Sequence, residues 1–108
     1  DILFHPTGRI IQKREPYDVD IGKIIETAKA TNSILEIDAY PDRLDLKDEH
    51  IRLAVQAGVK LSIDSDAHNK MHFRFLELGI AQARRGWAEA TDVVNTRPLK
   101  EFLKTVKE

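Results

Sequence analysis

Leu61-Ser62-Ile63-Asp64-Ser65-Asp66-Ala67-His68 is the stretch on which the reading of this chain turns. Leu61 and Ile63 alternate with polar residues between Lys60 and Asn69, the pattern of a short half-buried strand. Beyond its end, Asp66 and His68 stand two positions apart. In extended backbone that spacing sets both side chains on one side of the chain, about 7 Å apart. A carboxylate oxygen and an imidazole nitrogen so placed can converge on one divalent ion such as Zn²⁺ or Mn²⁺. The plainer alternative makes Asp66 a helix cap and His68 a surface loop residue.

Working outward, the same logic orders the whole chain. The third strand runs over residues 59–64. Gly58 before it is placed to end a helix in a left-handed turn. That helix carries Ile51, Ala54 and Val55 as its apolar stripe, with Asp45 as N-cap and Asp48 three positions on. Ile34-Leu35-Glu36-Ile37 reads as the second strand. A helix capped by Asp18 or Asp20 precedes it, with Ile21, Ile24, Ile25 and Ala28 on one face and Thr31-Asn32 at its end. Ile2-Leu3-Phe4 is a first strand, stopped by His5-Pro6 because proline cannot continue a central strand. Gly8 turns the chain, and residues 10–17 form a polar connection. After His68, a longer helix over about 71–85 points Phe75, Leu76, Ile80 and Ala83 inward. Gly79 inside it implies a close packing contact, since glycine there costs roughly 1 kcal/mol against alanine. Gly86-Trp87 breaks that helix, with Trp87 expected in the core under the last helix. Residues 91–95 form one short helical turn, and Pro98 opens a final helix bearing Leu99, Phe102, Leu103 and Val106.

The resulting order is strand, helix, strand, helix, strand, helix, helix. This predicts an α/β fold of parallel βα units with about three strands, Ile34–Ile37 or Leu61–Asp64 central. All strand C-termini then share one edge, where open α/β sheets and βα barrels bind ligands. His5, Glu36, Asp38, Asp66 and His68 fall on that edge. Glu36, inside an apolar strand, must be paired, hydrogen-bonded or metal-bound; a neighbouring Arg or Lys is the simplest partner. Arg9, after the glycine turn, could hold a phosphate bidentately. Asp42-Arg43 is expected to fix the loop into Asp45. His50 and His72, on helices, are expected at the surface.

With 108 residues the chain suits one small domain, and its net charge of -1 leaves nucleic-acid affinity to local patches. Lys13-Arg14 and Arg84-Arg85 are such patches, though such pairs are more often solvated surface. Cysteine is absent, which fits a cytoplasmic protein. No apolar run is long enough for a helical membrane span, and no membrane partner is expected. The chain opens at Asp1 and enters an apolar run at once, which suggests a piece of something larger.

Taken together these residues resemble the PHP (polymerase and histidinol phosphatase) family, and most closely the PHP domain of bacterial and archaeal family X DNA polymerases. His5-Pro6-Thr7-Gly8-Arg9 resembles that group's His-Pro-Thr-Gly-Arg motif. Leu35-Glu36-Ile37 with Arg43-Leu44-Asp45-Leu46 is similar to its next block, Ser65-Asp66-Ala67-His68 to its terminal metal motif, and Ala83-Arg84-Arg85-Gly86-Trp87 to the segment after. Phe4 stands where a glycine is usual and Asp38 where an asparagine is usual. The resemblance implies the C-terminal portion of a distorted seven-stranded βα (TIM-like) barrel. It implies up to three metal ions, Mn²⁺ or Zn²⁺, at the strand ends, with His5, Asp66 and His68 as ligands and Glu36 and Asp38 behind them. The implied activity is phosphoester hydrolysis, as a 3′–5′ exonuclease acting on DNA through a parent protein. The family's opening His-x-His pair would lie before Asp1, in a missing N-terminal half of the barrel. Two alternatives follow: a catalytically incomplete structural or interaction module, and a histidinol-phosphatase-like enzyme for small molecules. An open strand edge left by a missing half-barrel would also favour self-association.

Overall fold

The computed structural model describes residues 2–16 and 18–106, so Asp1 and the Tyr17 end of the expected polar connection lie outside it. Among the described residues the apolar runs form three parallel strands, β1 (Ile2–Leu3), β2 (Ile34–Asp38) and β3 (Leu61–Asp64), in the order β1-β2-β3. The predicted parallel βα arrangement is the one that forms. β2 is central, and all five of its residues are buried.

Register decides which side chains share a face. Leu35 pairs with Leu61, Glu36 with Ser62, Ile37 with Ile63 and Asp38 with Asp64. Because successive residues point to opposite faces, Leu35, Ile37, Leu61 and Ile63 project one way. Glu36, Asp38, Ser62 and Asp64 project the other. Three helices, α1 (Ile21–Thr31), α2 (Asp48–Ala57) and α3 (Leu76–Arg85), contribute Ile25, Ala28, Ile51, Ala54 and Ala83 to a core that takes in the apolar strand residues. Each fully buried Leu or Ile there contributes about 1.5–3 kcal/mol. The polar face is left to chemistry.

Capping sets the helix ends. The Asp20 side chain accepts the Lys23 N–H to start α1, and Gly58, at φ 82°, ends α2 as expected. The start of α2 differs from expectation. It begins at Asp48, and Asp45 is wholly buried upstream of it. Its carboxylate has found other orphan donors: it accepts the backbone N–H groups of Thr7 at 3.0 Å and Gly8 at 2.8 Å.

The expected helix over 71–85 divides into a 3₁₀ segment, Lys70–Phe75, and α3. The close contact at Gly79 is present: an added Cβ would fall 2.5 Å from Ile63 Cγ2 and 2.8 Å from Ala39 Cβ. Leu76, Gly79 and Ala83 face inward, while Ile80, expected inward, is 47% exposed on the flank of that stripe. Trp87 is a second correction. It is 63% exposed, next to Gly86, which packs closely against Ile51, and its ring lies 4.0 Å under the Arg52 guanidinium. His50 and His72, expected at the surface, are half-buried. Burial, with Lys47 adding to it, pushes the His50 pKa down.

Past α3, two short turns, Ala90–Asp92 and Val94–Thr96, replace the single expected one before α4 (Leu99–Val106). Asn95 closes the outer edge of β3, its Oδ1 accepting the Ile63 N–H at 2.9 Å and its Nδ2 donating to the Ile63 carbonyl at 2.6 Å. β1 ends the sheet on the other side, where Leu3 and Phe4 stay exposed. No described helix is long and apolar enough to cross a membrane.

Candidate functional site

The polar sheet face runs toward the strand C-termini, and its carboxyls accumulate there. Glu36 and Asp38 arrive on β2 and Asp64 on β3, while the chain beyond β3 adds Asp66. With His5 and Phe4 from the end of β1, these residues line a cavity of about 280 Å³. The edge expected from the strand order therefore carries a cluster of four carboxyls.

Burial makes that cluster electrostatically costly. The Glu36 carboxyl is pushed up to about 8, mainly by desolvation and further by Asp64 and Asp38. One contact opposes this: Glu36 Oε1 accepts the His5 backbone N–H at 2.8 Å. Asp38 is pushed up to about 7, again by burial first and then by Asp66, against a hydrogen bond from the Tyr40 N–H at 3.0 Å and the charge of Arg43. Asp38 Oδ2 is buried without an N–H or O–H donor. Arg43 is the cation beside the cluster, its Nε 4.0 Å from Asp38 Oδ2 and 3.7 Å from Asp66 Oδ2. Ser62 Oγ donates to Asp64 Oδ2 at 2.9 Å. Negative charge outweighs positive, so the cluster must hold protons or a cation.

The two arginines face different partners. Asp38 and Asp45 form an antiparallel bridge that folds the intervening loop back over the strand end. Arg9, expected to bind phosphate, instead braces that loop: its Nε donates to the Arg43 carbonyl at 2.8 Å and its Nη2 to the Leu44 carbonyl at 2.7 Å. The side chain left facing the acids is Arg43, which had been read as a loop-fixing residue. Glu36, for its part, has a backbone N–H and a neighbouring carboxyl as partners rather than an Arg or Lys.

His5 and Asp66 both take left-handed backbone, at φ 30° and 54°. Such values are uncommon outside glycine, and they cluster at functional sites. At Asp66 the turn overrides the extended geometry expected for Asp66 and His68. Asp66 lines the acid cavity and also a second cavity of about 350 Å³, as does His5; His68 borders only the second, beside Tyr40. Asn69, not Asp66, caps the 3₁₀ segment that follows. Among the described residues, no group of three or more His, Asp or Glu converges closely enough to hold a metal ion. The chemistry of the donors nevertheless fits one: carboxylate oxygens, an orphaned Asp38 Oδ2 and a nearby imidazole suit a hard or borderline divalent cation.

Sequence reasoning passed over Asp64, Arg43, Tyr40 and Asp45 as site residues. Asp64 carried a signal, since period two along β3 puts it on the face of Ser62. The other three depend on a loop fold that no local pattern announces.

No protein-family model matches the chain. The chain is 47% identical over 107 residues to the DNA polymerase/3′-5′ exonuclease PolX of Bacillus subtilis. That match takes in 96% of this chain and 19% of the relative, so the chain spans about a fifth of the length of the curated relative it matches.

Proposed function

We propose that this chain is part of a metal-dependent phosphoesterase, a 3′–5′ exonuclease module within a longer DNA-processing protein of the family X polymerase type. The observation that carries the reading is the buried, donor-less Asp38 Oδ2 inside a four-carboxyl cluster at the strand ends, with Arg43 as the neighbouring cation. The 47% identity to a protein named as a polymerase and 3′-5′ exonuclease supports the substrate class. The longer protein supplies the remaining strands of a distorted βα barrel and further ligands.

His5, Asp66 and His68 would hold the metal on this reading, with Glu36, Asp38 and Asp64 behind or beside them. Bound Mn²⁺ or Zn²⁺ would polarise phosphoryl oxygens and lower the pKa of a coordinated water. The protein's own contribution is legible in its contacts. Glu36 fixes the His5 backbone through the His5 N–H. Glu36 and Asp38, whose carboxyls are held above their ordinary pKa values by burial, would release protons to a bound cation that took over their neutralisation. Arg43, held by its braced loop, offers its guanidinium to a phosphodiester oxygen.

The test is shortening of a single-stranded DNA oligonucleotide by the longer natural protein that carries this chain, with Mn²⁺ or Zn²⁺ against chelator, beside Asp66→Ala. Metal-dependent shortening from the 3′ end, lost in the variant, is expected. A second reading, a structural or interaction module, draws on one observation: the described residues do not converge as a complete ligand set. Full exonuclease activity in both Asp66→Ala and His68→Ala would select it.

A further inference from the structure

We infer that the second cavity, beside the acid cluster, is a subsite for the terminal nucleobase of a nucleic-acid strand, with Tyr40 as its stacking platform. This rests on the phosphoesterase reading and names the substrate group that such a site would hold.

Tyr40 leaves β2 two positions after Asp38, so the strand that delivers the acid also delivers the ring. Three other rings fix its attitude. Phe75 and His72 lie roughly perpendicular to it with ring centroids 5.3 Å away, at interplanar angles of 82° and 81°, and His68 lies at 5.9 Å and 77°. His72 and Phe75 stack on each other at 5.1 Å and 24°. The His68 backbone N–H donates to His72 Nδ1 at 2.9 Å, tying the loop after β3 to this pile. Rings that served only to fill a core would be covered; Tyr40, His72 and Phe75 are half-buried and His68 is exposed.

The cavity that Tyr40 lines has about 350 Å³, within the usual range for small-ligand sites. Ile10 adds an apolar wall and Arg43 a cation, and the cavity shares His5 and Asp66 with the acid cavity. A ligand that fills both spaces has a flat apolar ring joined through a short polar link to a phosphoryl group. A nucleotide at a strand end is such a ligand. Stacking on an aromatic side chain tolerates any base, since every base presents a π-face. The subsite would thus hold the end of a strand without reading its sequence.

The experiment uses the longer natural protein that carries this chain, in chelator so that nothing is hydrolysed. Two trinucleotides are titrated by calorimetry, one bearing thymine on its 3′-terminal sugar and one abasic there. Wild type is expected to prefer the base-bearing ligand by about 5- to 150-fold, the range that loss of one stacking residue typically removes. Tyr40→Phe should keep that preference, while Tyr40→Ala and Tyr40→Leu should bring it close to one. Tyr40→Leu keeps apolar volume, so it guards against collapse of the ring pile. Equal affinity of wild type for the two ligands, no measurable binding of either, or a preference kept by both ringless variants would overturn the inference. Wild-type hydrolysis with Mn²⁺ is assayed separately. Preference without hydrolysis would remove the phosphoesterase reading and leave the subsite, and hydrolysis without preference would do the reverse.

Discussion

Arg43 Nε stands 3.7 Å from Asp66 Oδ2, on a loop that the Asp38–Asp45 bridge folds back and that Arg9 braces through two carbonyls. A guanidinium so held neutralises part of the acid cluster and competes with any metal for the same oxygens. It links the loop fold directly to the chemistry.

Replacing that cation by an apolar side chain of similar length is therefore expected to tighten divalent-ion binding while weakening phosphate-ester binding. Arg43→Met should raise Mn²⁺ affinity by roughly tenfold, about the effect of one pKa unit of lost repulsion. Calorimetric titration checks it; weaker Mn²⁺ binding in the variant would show that Arg43 organises the acids rather than opposing the metal.

The pH dependence of stability follows from Glu36 and Asp38. Their folded pKa values, about 8 and about 7, lie above the ordinary 4.5 and 3.8, so the folded state binds their protons more tightly than the unfolded chain does. Their stabilising contribution is complete below the ordinary values and is lost as pH rises to about 8. The metal-free chain should lose a few kcal/mol across that window, and Glu36→Gln should flatten the decline. Thermal melts from pH 5 upward read both. A metal-free wild type that gains stability toward pH 8 would show these acids to be ionised in the fold.

Asp45 anchors the loop that carries His5. Its carboxylate takes the N–H groups of Thr7 and Gly8, with no exposure to solvent. Asp45→Ala should cost about 3 kcal/mol, the scale of a buried charge-assisted pair of hydrogen bonds, and Asp45→Asn roughly half. Urea denaturation measures both, and a loss under about 1 kcal/mol in the alanine variant would count against the anchor.

The parts of the molecule legible in sequence are those set by local period and local punctuation. Three apolar runs gave three parallel strands, Gly58 ended α2, and Gly79 marked a close approach to Ile63 and Ala39. The misreadings share a cause, namely competition from distant partners. Asp45 left its expected cap for Thr7 and Gly8, thirty-eight and thirty-seven residues away in sequence. Trp87, expected in the core, is exposed beside Gly86, which packs against Ile51. His5, Glu36, Asp38 and Asp66 were placed together correctly because strand ends share an edge. The left-handed turn at Asp66, which lets it line both cavities while His68 borders only one, left no trace in the spacing.

Gly79 offers a packing test independent of the acids. Gly79→Ala gains about 1 kcal/mol of helix propensity but sets a methyl 2.5 Å from Ile63 Cγ2 and 2.8 Å from Ala39 Cβ. Overpacking of that kind costs about 1–3 kcal/mol, so a net loss near 1 kcal/mol is expected. A variant more stable than wild type in the same urea titration would mean that α3 can shift away from the strand ends.

The central claim, that the acids at the strand ends hold a divalent cation, is tested most directly by calorimetry of Mn²⁺ or Zn²⁺ binding to this chain. Wild type and Asp66→Ala are compared near neutral pH, in two buffers of different ionisation enthalpy. The account predicts weak binding of one ion to wild type with proton release, because Glu36 and Asp38 hold protons there that a cation displaces. It predicts loss of that binding in Asp66→Ala with the fold retained, since Asp66 lies beyond the end of β3. Equal affinity in the two proteins, or binding with no proton release, would contradict it.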